Sequence, residues 1–297
     1  FDASRPPVRT SGKTNAQGYY RIESASYGTG TTFLAEPMKL FYMHRALKFN
    51  RSESDYASLP NFGLTDSTEL ETATLEMWVN SAGPDGPQCL LSKKWDSQEF
   101  RVTLTPSGNN NILKCYLNGT EQAFGNLGVG YQHLAFTFQQ ASGNTTVKAY
   151  KNGVLGGTGN FSGMSGNWSD TSQVWLLGAR ANGASRTDYF GGLIDEVAMY
   201  DTLLSPASIS GHVTASRDLQ ERHLRAYFSL DEGSGNVLNN LGSQLTGAGT
   251  TFGTDWSSFC AIQETSPHVF TPATRQVTLN PSVTSVDNVD FTDRSTV

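Results

Sequence analysis

Residues 191–200, with the sequence GGLIDEVAMY, constrain the fold of this chain more than any other segment. Apolar side chains at Leu193, Val197 and Met199 follow a period of nearly two residues, which is typical of a β-strand with one face in a core. The acids Asp195 and Glu196 stand between them. Because adjacent side chains of a regular strand point to opposite faces, we expect these two carboxylates on different faces of a sheet.

Similar patterns recur along the chain between short turn signals. Further strands are expected at residues 89–93, 100–105, 112–117, 147–151 and 174–177. One short external helix is expected within residues 205–222, because Ser205 is a good N-cap and Pro206 suits the first helical position. The pattern predicts an all-β protein whose two antiparallel sheets enclose Leu75, Met77, Val79, Leu134, Phe136, Leu193 and Val197.

Several motifs, taken in chain order, resemble those of laminin-G-like domains, which are concanavalin A-like jelly rolls. They are ALKF with DYASLP (residues 46–60), TLEMWV (74–79), YQHLAFT (131–137), AYKNG (149–153) and the strand at 191–200 followed by LLS. Tyr131 stands where the family usually has Trp, and Ala198 and Met199 depart from its usual strand. The resemblance implies an antiparallel jelly-roll sandwich over residues 41–263.

One motif of that family is out of order. Residues 224–235, LRAYFSLDEGSG, resemble a segment that ordinarily precedes the first strand, but here they follow the last one. We expect a circularly permuted domain in which residues 224–262 supply the last strands. A second copy of the domain that has only begun is the alternative, although few residues remain for it.

The two ends of the chain resemble parts of one small immunoglobulin-like β-sandwich of the carboxypeptidase-regulatory or prealbumin-like kind. The middle of its pattern lies in residues 14–28, and its ending lies in residues 267–293. We therefore expect residues 1–40 and 264–297 to form one small sandwich into which the jelly roll is inserted, since insertion is tolerated where a domain's ends lie close together. Tyr20 and Ile22 should share its core with Val277, Leu279, Val289 or Phe291.

Composition excludes some classes of partner. The net charge of −6 and the pI near 5.4 argue against a surface for nucleic acid or anionic membrane. No apolar run approaches the length of a membrane span. The cysteines at 89, 115 and 260 are expected to be buried thiols. The chain begins with Phe1, and we expect it to be part of a longer extracellular or cell-surface protein.

The sequence does not predict an enzyme. A retaining glycosidase needs two carboxylates about 5 Å apart, and the acids at 195 and 196, like those at 231 and 232, are neighbours that a regular strand separates. The zinc motif HExxH and the serine motif GxSxG are also missing from the sequence. We therefore expect no catalytic residues.

Calcium is the cofactor that the sequence favours. Ca²⁺ takes several carboxylate and carbonyl oxygens, and the laminin-G-like resemblance implies such a site near one end of the sandwich. Asp195 and Asp231 are the predicted ligands, with backbone carbonyls near Asn50 or Ser52.

Sugar binding commonly uses an aromatic ring beside polar side chains. Loop stretches with this content predict a ligand site at Trp95, Trp168, Asp170 and Tyr189. Five sequons permit N-glycosylation, although this composition produces about four by chance; they begin at Asn50, Asn118, Asn144, Asn160 and Asn167.

Three functions follow from these observations. The first is a non-catalytic structural or adhesion module, one repeat of a large surface or filamentous protein, whose partners are neighbouring repeats or other surface proteins. The second is a calcium-dependent, lectin-like module that binds glycans. The third, a glycoside hydrolase of the concanavalin fold, lacks the acid pair that its chemistry needs.

Overall fold

The computed structural model describes residues 22–23, 31–35, 44–61, 72–95, 98–162, 174–182, 185–214, 217–219, 221–242, 247–261, 270–271, 275–279, 285–286 and 292–293. The chain divides into two compact units. One unit contains Phe1–Tyr42 and Glu264–Val297, and the other contains Met43–Gln263. Within the described residues, no helix is long and apolar enough to cross a membrane.

The described elements are short strands, one 3-10 turn at Arg51–Glu53 and one α-helix, α1 (Pro206–Gly211). The strands are β1 (Ile22–Glu23), β2 (Thr31–Ala35), β3 (Ala46–Phe49), β4 (Tyr56–Leu59), β5 (Thr72–Ser81), β6 (Gln88–Trp95), β7 (Gln98–Ser107), β8 (Asn110–Leu117), β9 (Thr120–Asn126), β10 (Gln132–Ala141), β11 (Asn144–Lys151), β12 (Val154–Ser162), β13 (Trp175–Leu177), β14 (Arg180–Asn182), β15 (Ser185–Thr187), β16 (Gly192–Tyr200), β17 (Leu224–Phe228), β18 (Val237–Leu238), β19 (Gly249–Phe252), β20 (Asp255–Ser257), β21 (Phe270–Thr271), β22 (Arg275–Leu279), β23 (Ser285–Val286) and β24 (Thr292–Asp293).

The larger unit is a sandwich of two antiparallel sheets, which confirms the predicted all-β jelly-roll class. The first sheet has the order β12-β11-β10-β5-β16-β3-β20, with β17 also paired to β16. The second sheet has the order β18-β19-β4-β13-β6-β7-β8-β9. Several consecutive strands are joined by hairpins, and in the one between β11 and β12 Asn152 and Gly153 both have positive φ, as an Asn-Gly turn requires.

One apolar core fills the space between the sheets. Six of the seven predicted core residues belong to it, among them Leu75, Met77 and Phe136. The prediction for Leu193 is wrong, because its neighbour Ile194 lies in the core instead. Val197 also lies in the core, three residues after Ile194. The regular alternation of inward and outward side chains is therefore interrupted between these two residues.

A β-bulge in β16 explains this change of phase. Asp195 pairs with Trp78 and Ala198 pairs with Glu76, so Glu196 and Val197 together stand opposite the single residue between those partners. Glu196, the first of the two bulged residues, has a φ of 53°, the left-handed conformation found in bulges of the G1 type. The expectation that the two acids lie on different faces is therefore wrong, since both are buried on the side of the first sheet away from the core.

Residues 224–257 add strands to both sheets of this same sandwich. Strand β17 pairs with β16, β20 pairs with β3, and β19 pairs with β4. The segment therefore extends the sandwich that precedes it. Circular permutation relative to the laminin-G-like order stays a prediction.

The smaller unit brings the two ends of the chain together. Strand β1 pairs with β23 and β2 pairs with β22, while β21 pairs with β24. The predicted immunoglobulin-like core stays a prediction, because Tyr20, Val289 and Phe291 lie outside the described residues and the side chains of the paired strands are not described.

The predicted helix is confirmed and lies on the first sheet. Ser205 caps α1 by accepting a hydrogen bond from Ser208 N, and Pro206 opens the helix. Ile209 of α1 is buried against Ala135 and Tyr150, on the side of the sheet away from the main core. The three cysteines, at 89, 115 and 260, are buried thiols, as expected.

Candidate functional site

Charged side chains are enclosed on the outer face of the first sheet, beneath the segment that follows β16. Strand alternation places Glu76 of β5 on this face, because its neighbours Leu75 and Met77 point into the core. His133 of β10 and Tyr200 of β16 share the face, and the segment 201–223 supplies the rest. We call this group the Glu76 cluster; it consists of Glu76, His133, Tyr200, His212, Arg217 and Glu221.

Short contacts connect the cluster to both the sheet and the segment above it. His212 Nδ1 lies 2.8 Å from Glu76 Oε2, and Arg217 lies 3.2 Å from the same oxygen. The other ring nitrogen of His212 lies 3.0 Å from Glu221, whose second oxygen accepts a hydrogen bond of 2.7 Å from Tyr200. Because Glu76 is completely buried, these contacts hold the segment on the sheet.

The pKa values of the two histidines in the cluster are shifted in opposite directions. Burial, together with the positive charges of Arg217 and His212, lowers the pKa of His133 to about 3. Burial also opposes protonation of His212, but the hydrogen bond and charge of Glu76 outweigh it and raise the pKa of His212. His133 is therefore neutral near pH 6, while His212 is protonated.

This difference predicts two separable pH effects on stability. The unfolded state binds a proton at His133 below pH 6.5 and the folded state does not, so the free energy of unfolding should fall between pH 6.5 and about 3. His212 binds its proton more tightly when folded, so its contribution should be present below pH 6.5 and be lost as the pH rises through the raised pKa. Denaturant unfolding from pH 4 to 9 measures both effects.

The control for this experiment is the comparison of single variants with the unmodified chain. H133Q should flatten the acid limb of the profile, and H212Q should flatten the loss above pH 6.5. Glu76, Arg217 and Glu221 also face these rings and are present in all three proteins. Because the charge of His212 acts on His133, the acid limb is assigned from H133Q rather than from H212Q. An unchanged acid limb in H133Q would contradict the assignment.

A second group lies around the bulge of β16. Donor atoms of His44, Glu196 and Asp231 all lie within 4.8 Å of one another. Asp195 is not a member of this group, and its Oδ2 accepts a hydrogen bond of 2.8 Å from Ala261 N. Burial raises the pKa of Glu196 to about 7 and holds the pKa of Asp195 well above its usual value, with the charge of Glu196 adding to the shift at Asp195.

Sequence reasoning identified Asp231 in this group but missed Glu196 and His44. A regular strand would place Glu196 on the face opposite Asp195, and only the bulge turns both acids to one side. His44 precedes β3 and belongs to no motif, so no local signal marks it. The calcium site of Asp195 and Asp231 stays a prediction, and so does the part assigned to backbone carbonyls near Asn50 and Ser52.

An aromatic surface lies on the outer face of the second sheet. Tyr56 of β4 pairs in register with Phe252 of β19, and their rings stack with centroids 4.5 Å apart. The guanidinium of Arg186, in β15, lies 4.3 Å from the Tyr56 ring. We call Tyr56, Arg186 and Phe252 the Tyr56 platform, and its Phe252 is 42% exposed.

Ion pairs fix the hairpin that carries Arg186. Arg180 of β14 donates to Glu99 at 2.7 Å and lies 3.7 Å from Asp188. Arg101 contacts the same Glu99 at 2.6 Å. This network joins the hairpin to β7 and places Arg186 over the platform.

The predicted ligand residues are only partly described. Tyr189 follows the hairpin and is half-buried. Trp168 and Asp170 lie outside the described residues, and the side chain of Trp95 is not described. The stretch 186–189 thus lies beside an aromatic surface, which Arg186 contacts.

The sequons differ in access. Asn144, at the start of β11, and Asn160, on the edge strand β12, are exposed on the first sheet. Asn50 donates to Glu53, and Asn118 accepts a hydrogen bond from Glu99 N. Asn167 lies outside the described residues. Glycosylation of these positions stays a prediction.

Comparison with solved structures finds the same kind of fold. A protein of Bacteroides ovatus ATCC 8483 that has been assigned to carbohydrate binding superposes with a TM-score of 0.55 at 18% identity, over 72% of this chain and 59% of that chain. The heptameric SAP-like pentraxin of Limulus polyphemus gives a TM-score of 0.42 at 13% identity, over 57% of this chain and 81% of that chain. Domain 4 of the arabinanase AbnA of Geobacillus stearothermophilus gives a TM-score of 0.40 at 20% identity, over 67% of this chain and 91% of that chain.

The superposition on the Bacteroides ovatus protein shows a shared fold and no more. No curated protein matches the sequence. Residues 51–210, more than half of the chain, match the sequence profile of one large group of jelly-roll domains. The chain therefore belongs to the concanavalin A-like lectin/glucanases superfamily.

Proposed function

We propose that the chain is a non-catalytic, lectin-like module that binds glycans at the Tyr56 platform. Membership of the superfamily supports a carbohydrate ligand, since lectins bind carbohydrates and glucanases cleave them. The observation that carries the proposal is the exposed ring of Phe252, stacked on Tyr56, whose ring also contacts the guanidinium of Arg186. An apolar ring next to a cationic donor of several hydrogen bonds offers the two kinds of contact that a sugar ring takes.

The burial of the acids on the first sheet supports binding rather than hydrolysis. Glu76 is completely buried, and Asp195 and Glu196 are 2% and 1% exposed. A glycosidase places its two carboxylates on either side of the bond that it cleaves, where the substrate must reach them. The segment carrying His212 and Arg217 covers Glu76, so a glycan bound to the outer surface does not reach this carboxylate.

The structural or adhesion role predicted from the sequence belongs to the same proposal. A module that binds glycans on one surface would contribute adhesion to a longer surface protein through its neighbours along the chain. Its extracellular location, its tandem repetition and its glycosylation are parts of this proposal. The calcium hypothesis for Asp195 and Asp231 is a further proposal, which the metal experiment below also tests.

Substituting Phe252 should weaken glycan binding. A glycan array of the whole chain would first identify a ligand, and F252A should then raise its Kd about tenfold or more, equivalent to about 1.4 kcal/mol. This size is expected because the stacked face of an aromatic ring contributes both area and ring geometry. Isothermal titration calorimetry of the ligand with each protein gives the comparison.

Phe259 provides a matched control. It is also an exposed phenylalanine, 56% accessible, but it packs on Tyr131 at the first sheet and not on the platform. F259A should therefore leave the Kd unchanged. Equal weakening by both substitutions, or no glycan bound by the unmodified chain, would contradict glycan binding at the Tyr56 platform. Release of reducing sugar from the bound glycan would overturn the non-catalytic assignment.

A further inference from the structure

We infer that His44, Glu196 and Asp231 form a binding site for a divalent transition metal of the Zn²⁺ type. The three residues come from separate parts of the larger unit: the segment before β3, the bulge of β16 and the loop after β17. One donor atom of each lies within 4.8 Å of the other two, so that one ion can contact all three. The site is independent of the glycan platform on the second sheet.

One oxygen of each carboxylate is held by a hydrogen bond, as is usual for carboxylates that bind metals. Glu196 Oε2 accepts a hydrogen bond of 2.6 Å from the hydroxyl of Tyr227. Asp231 Oδ1 accepts one of 2.6 Å from Arg45 N. His44 Nδ1 lies 3.4 Å from the second oxygen of Asp231, which brings the imidazole into the group.

Buried negative charge next to the group supplies an independent reason for a cation. Asp195 is 2% exposed, and its Oδ1 accepts no hydrogen bond from any residue that the structure describes. Asp195 and Glu196 follow one another in the chain, and the bulge of β16 turns both buried carboxylates to the same side of the sheet. Carboxylates crowded in a buried place repel one another, and a divalent ion would remove that repulsion.

The donor set decides which class of ion fits. Ca²⁺ takes six to eight oxygen ligands and rarely a nitrogen. Zn²⁺ takes imidazole nitrogen together with carboxylate oxygen, usually with four ligands in total. A histidine among two carboxylates therefore favours Zn²⁺ over Ca²⁺, which is a different site from the oxygen-only one predicted for Asp195 and Asp231.

Metal-dependent unfolding tests the inference. The whole chain, stripped of metal with chelator and dialysed, is melted alone and with Zn²⁺, Mn²⁺ or Ca²⁺, and Zn²⁺ binding is titrated by calorimetry. At a Zn²⁺ concentration a hundredfold above Kd, the melting temperature should rise by about 5 °C, with one ion bound per chain. H44A and E196Q should each weaken Zn²⁺ binding at least tenfold.

His223 gives a matched control, because its Nδ1 lies 2.7 Å from Asp201 in a histidine–carboxylate pair outside the group. H223A should bind Zn²⁺ like the unmodified chain, and circular dichroism without metal checks that each variant folds. If H44A fails to fold, E196Q alone carries the test. The inference is overturned if Zn²⁺ causes no shift, or if the shift survives in E196Q. A Ca²⁺ shift that persists in H44A and disappears in D195N would overturn it in favour of the oxygen-only calcium site.

Discussion

Replacing Phe136 by alanine is expected to lower the free energy of unfolding by about 3–5 kcal/mol. Phe136 is completely buried in the main core and packs edge-to-face on Phe124, with ring centroids 6.3 Å apart. Its strand, β10, lies between β5 and β11 in the interior of the first sheet. The cavity left by the ring cannot collapse easily there, which is why we expect the full cost of removing a buried aromatic ring.

Urea unfolding of F136A beside the unmodified chain measures this loss, provided that the dependence on denaturant is unchanged. Val129 offers a control, because its side chain is 89% exposed on a loop. V129A should change the free energy of unfolding by less than about 0.5 kcal/mol. A loss below about 1 kcal/mol in F136A would be too small for a filled core position.

Substituting Glu76 by glutamine is expected to lower the free energy of unfolding by about 3–5 kcal/mol. The change keeps the shape of the side chain but removes the negative charge that faces Arg217 and His212. Both Glu76 and the Arg217 side chain have no exposed surface, so water cannot replace the lost interaction. Removing one partner of a buried ion pair leaves the other partner's charge poorly compensated.

Two further variants of the chain serve as controls for the Glu76 experiment. The exposed pair Lys114–Glu121 has a similar separation of 2.7 Å, and E121Q should cost less than about 1 kcal/mol because water screens it. The double variant E76L/R217M removes both charges, and we expect it to be more stable than E76Q. An E76Q loss as small as that of E121Q would show that the cluster does not hold the segment on the sheet.

Periodicity and motif order were enough to predict the class of fold. The alternation in TLEMWV and YQHLAFT predicts which residues of β5 and β10 point into the main core, and the structure agrees with it. Ser205 and Pro206 predict the start of α1. These features are local, because successive side chains of a strand point to opposite faces and the pattern is therefore visible within a few residues.

Only the tertiary structure decided how the candidate sites are assembled. A single extra residue in β16 moves Ile194 into the core in place of Leu193 and turns Glu196 to the same side as Asp195. No sequence period encodes such a bulge, because one inserted residue reverses the phase of every later position. His44 and Asp231, or Tyr56 and Phe252, are far apart in the chain, and only the pairing of distant strands and their flanking loops brings them within reach.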